Sequence, residues 1–143
     1  MKSSEVPLAR IVFFQVKDPA AKLQRIAETA RAHFGKKERF IIFVEDLKAQ
    51  SFVDELLWKM PDASFLPHAA ADVASQEWVA ITKTKTNVNG ARVAFNLCST
   101  PLLIDGSFRL IYELEDLTSP AKQKLSTIRY DAYKNAYHPV EAR

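Results

Sequence analysis

The chain has 143 residues, of which 48% are hydrophobic and 26% charged, with only 3 glycines and 7 prolines. This composition excludes a disordered or fibrous protein and predicts one globular domain over residues 1–143. Twenty basic against 17 acidic residues give a net charge of +3 without a long block of either sign, which gives no indication of nucleic-acid binding. The apolar runs are too short for a membrane span, and residues 1–10 lack a signal-peptide core, so we expect a cytoplasmic protein.

The first strand and helix are predicted near the N-terminus. Apolar residues 12–16 indicate a buried strand. Asp18 and Pro19 follow it as a helix cap and a first-turn proline. Gly35 stands where a helix end favours the left-handed conformation. The predicted apolar stripe of this helix comprises Leu23, Ile26, Ala27, Ala30 and Phe34.

A second strand and helix follow directly. Residues 40–44 are apolar without interruption, as in a central strand that is covered on both faces. The next helix is predicted to begin beside Asp46 and to end at Pro61. Its apolar stripe comprises Ala49, Val53, Leu56, Leu57 and Met60.

The second half of the chain predicts three further strands and a last helix. The strands cover residues 78–82, 92–97 and 108–114, with turn residues between them. Ser119 and Pro120 begin the helix, whose expected core stripe is Ala121, Leu125, Ile128, Ala132 and Ala136. The element order predicts an α/β sandwich of three layers. Its central sheet is mostly parallel with helices on both faces, and a right-handed crossover joins the first two strands.

The sequence offers little support for cofactor chemistry. Three glycines cannot assemble a nucleotide-binding loop, and the three histidines lack metal-ligand spacing. We therefore predict no cofactor and no metal. The single Cys98 lies in an apolar run and is expected to be buried.

Three carboxylates give the best case for an enzyme. Glu45 and Asp46 follow a central strand, and Asp18 follows the first strand, at the edge where open α/β sheets bind ligands. Such a group can bind a cation or transfer protons. We favour the simpler interpretation that Asp18 and Asp46 cap the helices that follow them.

Aromatic residues stand out on two helices. Trp58 falls about 150° from the apolar stripe of its helix, with Phe65, Leu66 and Pro67 shortly after it. An exposed tryptophan is a typical interface anchor, although packing on its own loop would also explain it. On the last helix Tyr130 lies far from the expected stripe, on a side suited to an acidic peptide or to single-stranded nucleic acid; a half-buried tyrosine is the alternative.

Several segments resemble one family. VDELLWKMPDASFLPH over residues 53–68, FIIFVED over residues 40–46 and RYDAY over residues 129–133 are similar to the chi subunit of the bacterial DNA polymerase III clamp loader. The resemblance covers nearly the whole chain and implies a Rossmann-like fold. It further implies a non-catalytic accessory subunit that bridges the psi subunit and the acidic C-terminal tail of single-stranded DNA-binding protein, contacting DNA only indirectly and no membrane.

The resemblance also implies two sets of site residues. The residues facing psi are Trp58, Pro61, Phe65, Leu66 and Pro67. The residues facing the tail are Lys122, Lys124, Leu125, Arg129, Tyr130 and Tyr133. Two basic positions of the family fall here on Gln123 and Thr127, which predicts weaker tail binding. The alternatives are a small enzyme using the three carboxylates and a module that binds single-stranded DNA directly.

Overall fold

The computed structural model describes residues 8–59, 66–102, 106–136 and 138–143. Within them the elements follow in the order β1 (Arg10–Val16), α1 (Pro19–Gly35), β2 (Phe40–Phe43), α2 (Leu47–Trp58), β3 (His68–Ala70), β4 (Val79–Thr82), β5 (Val93–Asn96), β6 (Leu110–Asp116), α3 (Pro120–Asn135) and β7 (Val140–Ala142). The five predicted strands and three predicted helices are confirmed. The short strands β3 and β7 were not predicted.

The strands form one parallel sheet in the order β3-β4-β2-β5-β6-β1-β7. A mostly parallel sheet is therefore confirmed. β1 and β2 run parallel as expected, but β5 and β6 lie between them. The first strand thus lies near one edge of the sheet, and the second lies in its interior next to the central strand β5.

Helices cover both faces of the sheet. Val12 and Phe14 of β1 point into a core that includes Ile26 of α1 and Val53 of α2. The alternate residue Phe13 points into the opposite core, which includes Tyr133 of α3. Because strand side chains alternate between faces, α1 and α2 lie on one side and α3 on the other. This arrangement confirms the three-layer α/β sandwich.

The helix starts follow the sequence closely, whereas two helix ends do not. The second helix ends at Trp58, before the predicted end at Pro61. Side chains of Asp18, Asp46 and Ser119 accept hydrogen bonds from backbone amides in the first turns of α1, α2 and α3. At the end of α1, the prediction for Gly35 is wrong: Gly35 stays within the helix and Lys37 takes the left-handed conformation with φ 60°.

The predicted core stripe of α3 is also wrong. Leu125 and Ile128 are 39% and 51% exposed, and the buried residues of the helix are Ser126, Arg129 and Tyr133. The physical reason is Glu113, a fully buried carboxylate on the strand beneath the helix. A buried carboxylate requires donors, so α3 turns its polar side toward the sheet.

Candidate partner-binding surfaces

The three candidate carboxylates each accept a backbone hydrogen bond at the carboxyl edge of the sheet. Oδ1 of Asp18 lies 2.8 Å from N of Ala21, and Oδ1 of Asp46 lies 2.9 Å from N of Ala49. Both predicted caps are confirmed. Glu45 Oε1 accepts from the Ser99 amide at 2.9 Å. Among the described residues, no group of three or more His, Cys, Asp or Glu side chains could hold a metal ion.

Trp58 lies at the surface as the last residue of α2. Its side chain is 57% exposed, and its ring centroid is 4.5 Å from that of His68. His68 is itself held in place, because Nδ1 lies 2.8 Å from the Leu66 carbonyl oxygen and Nε2 lies 3.2 Å from the Asp54 carbonyl oxygen. The fixed His68 ring therefore supports the indole, and most of the surface of the indole faces solvent.

The remaining residues of the predicted psi-facing set differ in position. Leu66 is only 5% exposed and belongs to the core beneath α1 and α2. Pro67 is half-buried. Pro61 and Phe65 lie outside the described residues, and so does the expected alternative contact between Trp58 and Phe65.

A buried polar network joins α3 to the sheet. Glu113 Oε1 accepts from Nε of Arg129 at 2.9 Å, and its Oε2 accepts from Tyr133 Oη at 2.5 Å and Asn96 Nδ2 at 2.7 Å. Burial raises the pKa of the Glu113 carboxyl to about 7, because the nearby Arg129 guanidinium and the hydrogen bonds offset only part of the lost hydration. The network fixes the rotation of α3 about its axis.

Arg129 and Tyr133 serve this network from within the protein. Nη2 of Arg129 also donates to the Leu114 carbonyl oxygen at 2.9 Å, and Nη1 donates to the Ser99 carbonyl oxygen at 3.3 Å. The residue is 6% exposed and Tyr133 is 2% exposed. Of the six residues predicted to face the tail, these two are buried.

The first of two clefts beside α3 lies at the carboxyl ends of β5 and β6. Lys122, Leu125 and Arg129 line it together with Lys22 and Asp116. Lys22 Nζ lies 2.8 Å from Asp116 Oδ2. Although burial opposes ionisation, hydrogen bonds from Lys22 and Thr118 lower the pKa of Asp116 to about 2. The acidic and basic groups in this cleft therefore neutralise each other in part.

The second cleft lies on the other side of α3 and contains Tyr130. The tyrosine ring packs edge-on against Phe13 with centroids 5.4 Å apart, and Nζ of Lys134 lies 5.6 Å from its centroid. Phe13, Ser126, Thr127 and Ala142 line the cleft with it. Leu125 and Tyr130 are five residues apart, about 140° around the helix. Of the predicted tail residues, three therefore line the first cleft and Tyr130 lines the second. Tyr133 is buried and lines neither, and Lys124 is exposed outside both.

Two participants in the second cleft were missed by the sequence prediction. Lys134 is one helical turn after Tyr130, and this spacing was a usable signal. Phe13 was assigned only to a buried strand, and its proximity to Tyr130 depends on how α3 lies across the sheet. That second contact has no local signal in the sequence.

The model of the DNA polymerase III chi subunit family, HolC, matches residues 8–141. The chain belongs to the DNA polymerase III chi subunit family. This membership gives the chain an accessory role in DNA replication as part of DNA polymerase III. No curated protein gives a significant match to the sequence. Within the described ranges, no helix is long and apolar enough to cross a membrane.

Proposed function

We propose that this chi-family chain is a non-catalytic bridge between the psi subunit of the clamp loader and the C-terminal tail of single-stranded DNA-binding protein. The observation that supports it most directly is the exposed Trp58, anchored on His68 within the segment most similar to the family. A large aromatic ring held at the surface is the residue type that dominates protein interfaces. The family match supports a role in replication.

The psi-facing patch is proposed to centre on Trp58. Pro67 extends it, and Leu66 supports it from beneath because its side chain is buried. Pro61 and Phe65 belong to the same proposed patch by their place in the sequence. Binding would bury the indole and remove its exposed apolar surface from water.

The tail is proposed to bind in the cleft that contains Tyr130. This cleft combines an aromatic floor of Tyr130 and Phe13 with the Lys134 ammonium, which suits a peptide carrying both an aromatic ring and carboxylates. Lys122 and Lys124 supply further exposed positive charge on the same helix. Arg129 and Tyr133 act as positioning residues that hold α3 through Glu113.

Two crossed variants test the proposal. Trp58→Ala should weaken binding of purified psi and leave titration with a synthetic tail peptide unchanged, whereas Tyr130→Ala should do the reverse. Calorimetry measures the peptide and analytical gel filtration measures the psi complex. A circular dichroism spectrum for each variant confirms folding. If either folded variant retains both partners at wild-type affinity, the assignment of that surface is wrong.

A further inference from the structure

The amino-terminal edge of the sheet carries a row of arginines. Four adjacent strands, β2, β5, β6 and β1, each begin with an arginine or directly follow one. In the order of the strands, these residues are Arg39, Arg92, Arg109 and Arg10. They are far apart in the sequence, and the parallel arrangement of the strands brings them to the same edge of the sheet.

The register of the sheet aligns the row. Phe40, Val93 and Leu110 pair with one another across β2, β5 and β6, so the three arginines directly before them are also aligned. The backbone continues the alignment, because the Arg109 amide donates to the Arg92 carbonyl oxygen at 2.9 Å. With strands about 4.8 Å apart, these three arginines extend over about 10 Å. Arg10 pairs with Leu110 and so lies one residue further along the sheet than Arg109.

Carboxylates near the row do not balance its charge. Glu141 is shared, at 2.7 Å from Arg10 and 2.6 Å from Arg143. Glu38 forms an ion pair with Arg109. Counting the neighbouring Lys36, Lys37 and Arg143, the described residues near the row include seven cations and the three carboxylates Glu38, Glu77 and Glu141, a net charge of +4. The described residues at this edge therefore carry an excess of positive charge.

Arg92 is the most available member of the row. It is exposed, and its side chain forms no ion pair or hydrogen bond within the described part of the chain. Arg109 is also about half exposed, at 52% of its side chain. An exposed guanidinium in a field of like charge gains from binding an anion.

An aromatic pair lies at one end of the row. The Arg39 guanidinium carbon is 5.0 Å from the Trp78 ring centroid, and Phe34 packs edge-on against the same indole with centroids 6.3 Å apart. Trp78 remains partly exposed. Cations in line with an aromatic ring are the features that bind single-stranded nucleic acid without sequence preference.

We propose that this arginine row binds the phosphate backbone of single-stranded nucleic acid. Regularly spaced guanidinium groups suit a ligand with regularly spaced phosphates, since each fork can take two oxygens of one phosphate. The surface lies at the opposite edge of the sheet from the N-terminus of α3, and it shares no residue with the Trp58 patch or the Tyr130 cleft. It therefore adds a direct nucleic-acid contact to the two proposed protein contacts.

Fluorescence anisotropy with a labelled oligothymidylate tests the proposal. The logarithm of the association constant should fall with the logarithm of salt concentration with a slope of about −3, corresponding to about four phosphate contacts on a single strand. Arg92→Ala should weaken binding about threefold and reduce the size of the slope by about 0.7. Lys48→Ala removes the same charge from the start of α2 and should leave both values unchanged. The tail peptide should bind Arg92→Ala as it binds the wild type.

Four results would overturn the proposal. The first is no change of anisotropy at low salt, and the second is equal weakening by Arg92→Ala and Lys48→Ala. The third is displacement of the oligonucleotide by polyglutamate at equal charge concentration, which would assign the row to acidic peptides. Equal affinity for duplex DNA would overturn the assignment to single strands, because the aromatic pair would then contribute nothing.

Discussion

Nε of Arg129 lies 2.9 Å from Oε1 of Glu113, and the two side chains are only 8% and 0% exposed. This buried ion pair joins the last helix to the sheet. Desolvating both charges is costly, and their attraction offsets that cost only while both partners remain. The orientation of α3, and with it the Tyr130 cleft, therefore depends on a pair that contacts no partner in the proposed function.

Replacing Arg129 by Ala should destabilise the fold strongly. Above about pH 7, where Glu113 is ionised, the change leaves its carboxylate buried without its guanidinium, which typically costs about 3–5 kcal/mol. Urea unfolding followed by circular dichroism measures the loss. Lys124→Ala, on the exposed side of the same helix, is the control and should change stability little. A loss in Arg129→Ala no larger than in the control would contradict this account.

The titration of Glu113 should make stability depend on pH. Its pKa is about 7 in the folded chain and ordinarily 4.5, so the folded state binds the proton more tightly than the unfolded state. The stabilisation is complete below about pH 4.5 and is lost as pH rises to about 7. Relative to Glu113→Gln, the wild type should therefore lose on the order of 3 kcal/mol of unfolding free energy across this window.

Urea unfolding of both proteins at several pH values measures this dependence. Groups that titrate alike in the two proteins cancel in the difference, so the comparison isolates Glu113. A difference in unfolding free energy that stays constant from about pH 4.5 to about pH 7 would show that Glu113 keeps an ordinary pKa.

The sequence predicts the fold well where local signals act alone. Asp18 and Asp46 mark helix starts by residue type, and the apolar run over residues 40–44 marks the central strand. The three-residue strands β3 and β7 have no such signal, because edge pairing depends on neighbours distant in the chain. The order of the strands in the sheet could not be predicted from local sequence patterns either.

The orientation of α3 could not be predicted from its own residues. Its apolar positions such as Leu125 and Ile128 indicate a core stripe, yet they are exposed because Glu113 requires the opposite side. The sequence placed Trp58 correctly on the outside of α2. The sequence predicted that Leu125 and Tyr130 belong to one tail-binding surface, but they line different clefts. The two residues line different clefts because the buried Glu113 on β6 sets the orientation of α3.

Trp58→Ala should weaken the complex with psi by about 2 kcal/mol or more if the indole is a central anchor. Because Trp58 is 57% exposed, the stability of the isolated chain should change much less than the affinity. Phe52→Ala is a matched control, since Phe52 is a 55% exposed aromatic residue of the same helix. Gel-filtration or calorimetric titration with psi gives both affinities. Equal losses in the two variants would mean that the contact is not centred on Trp58.

Asp46→Ala should lower stability by about 0.5–2 kcal/mol through loss of the cap on α2. The carboxylate accepts the Ala49 amide at 2.9 Å, and alanine cannot replace that acceptor. Asp46→Asn keeps an acceptor and should recover most of the loss in thermal unfolding. If a nucleotide or divalent ion raised the melting temperature of the wild type but not of Asp46→Asn, the residue would belong to a ligand site.

In the proposed function, one chain holds psi and the tail of single-stranded DNA-binding protein at the same time. Trp58 lies at the end of α2 on one side of the sheet, and the Tyr130 cleft lies beside α3 on the other. The most direct test is calorimetric titration of a synthetic tail peptide into the purified complex of this chain with psi. One peptide should bind per complex, with the same affinity as for the free chain. Loss of peptide binding in the complex, or release of psi by the peptide, would contradict it.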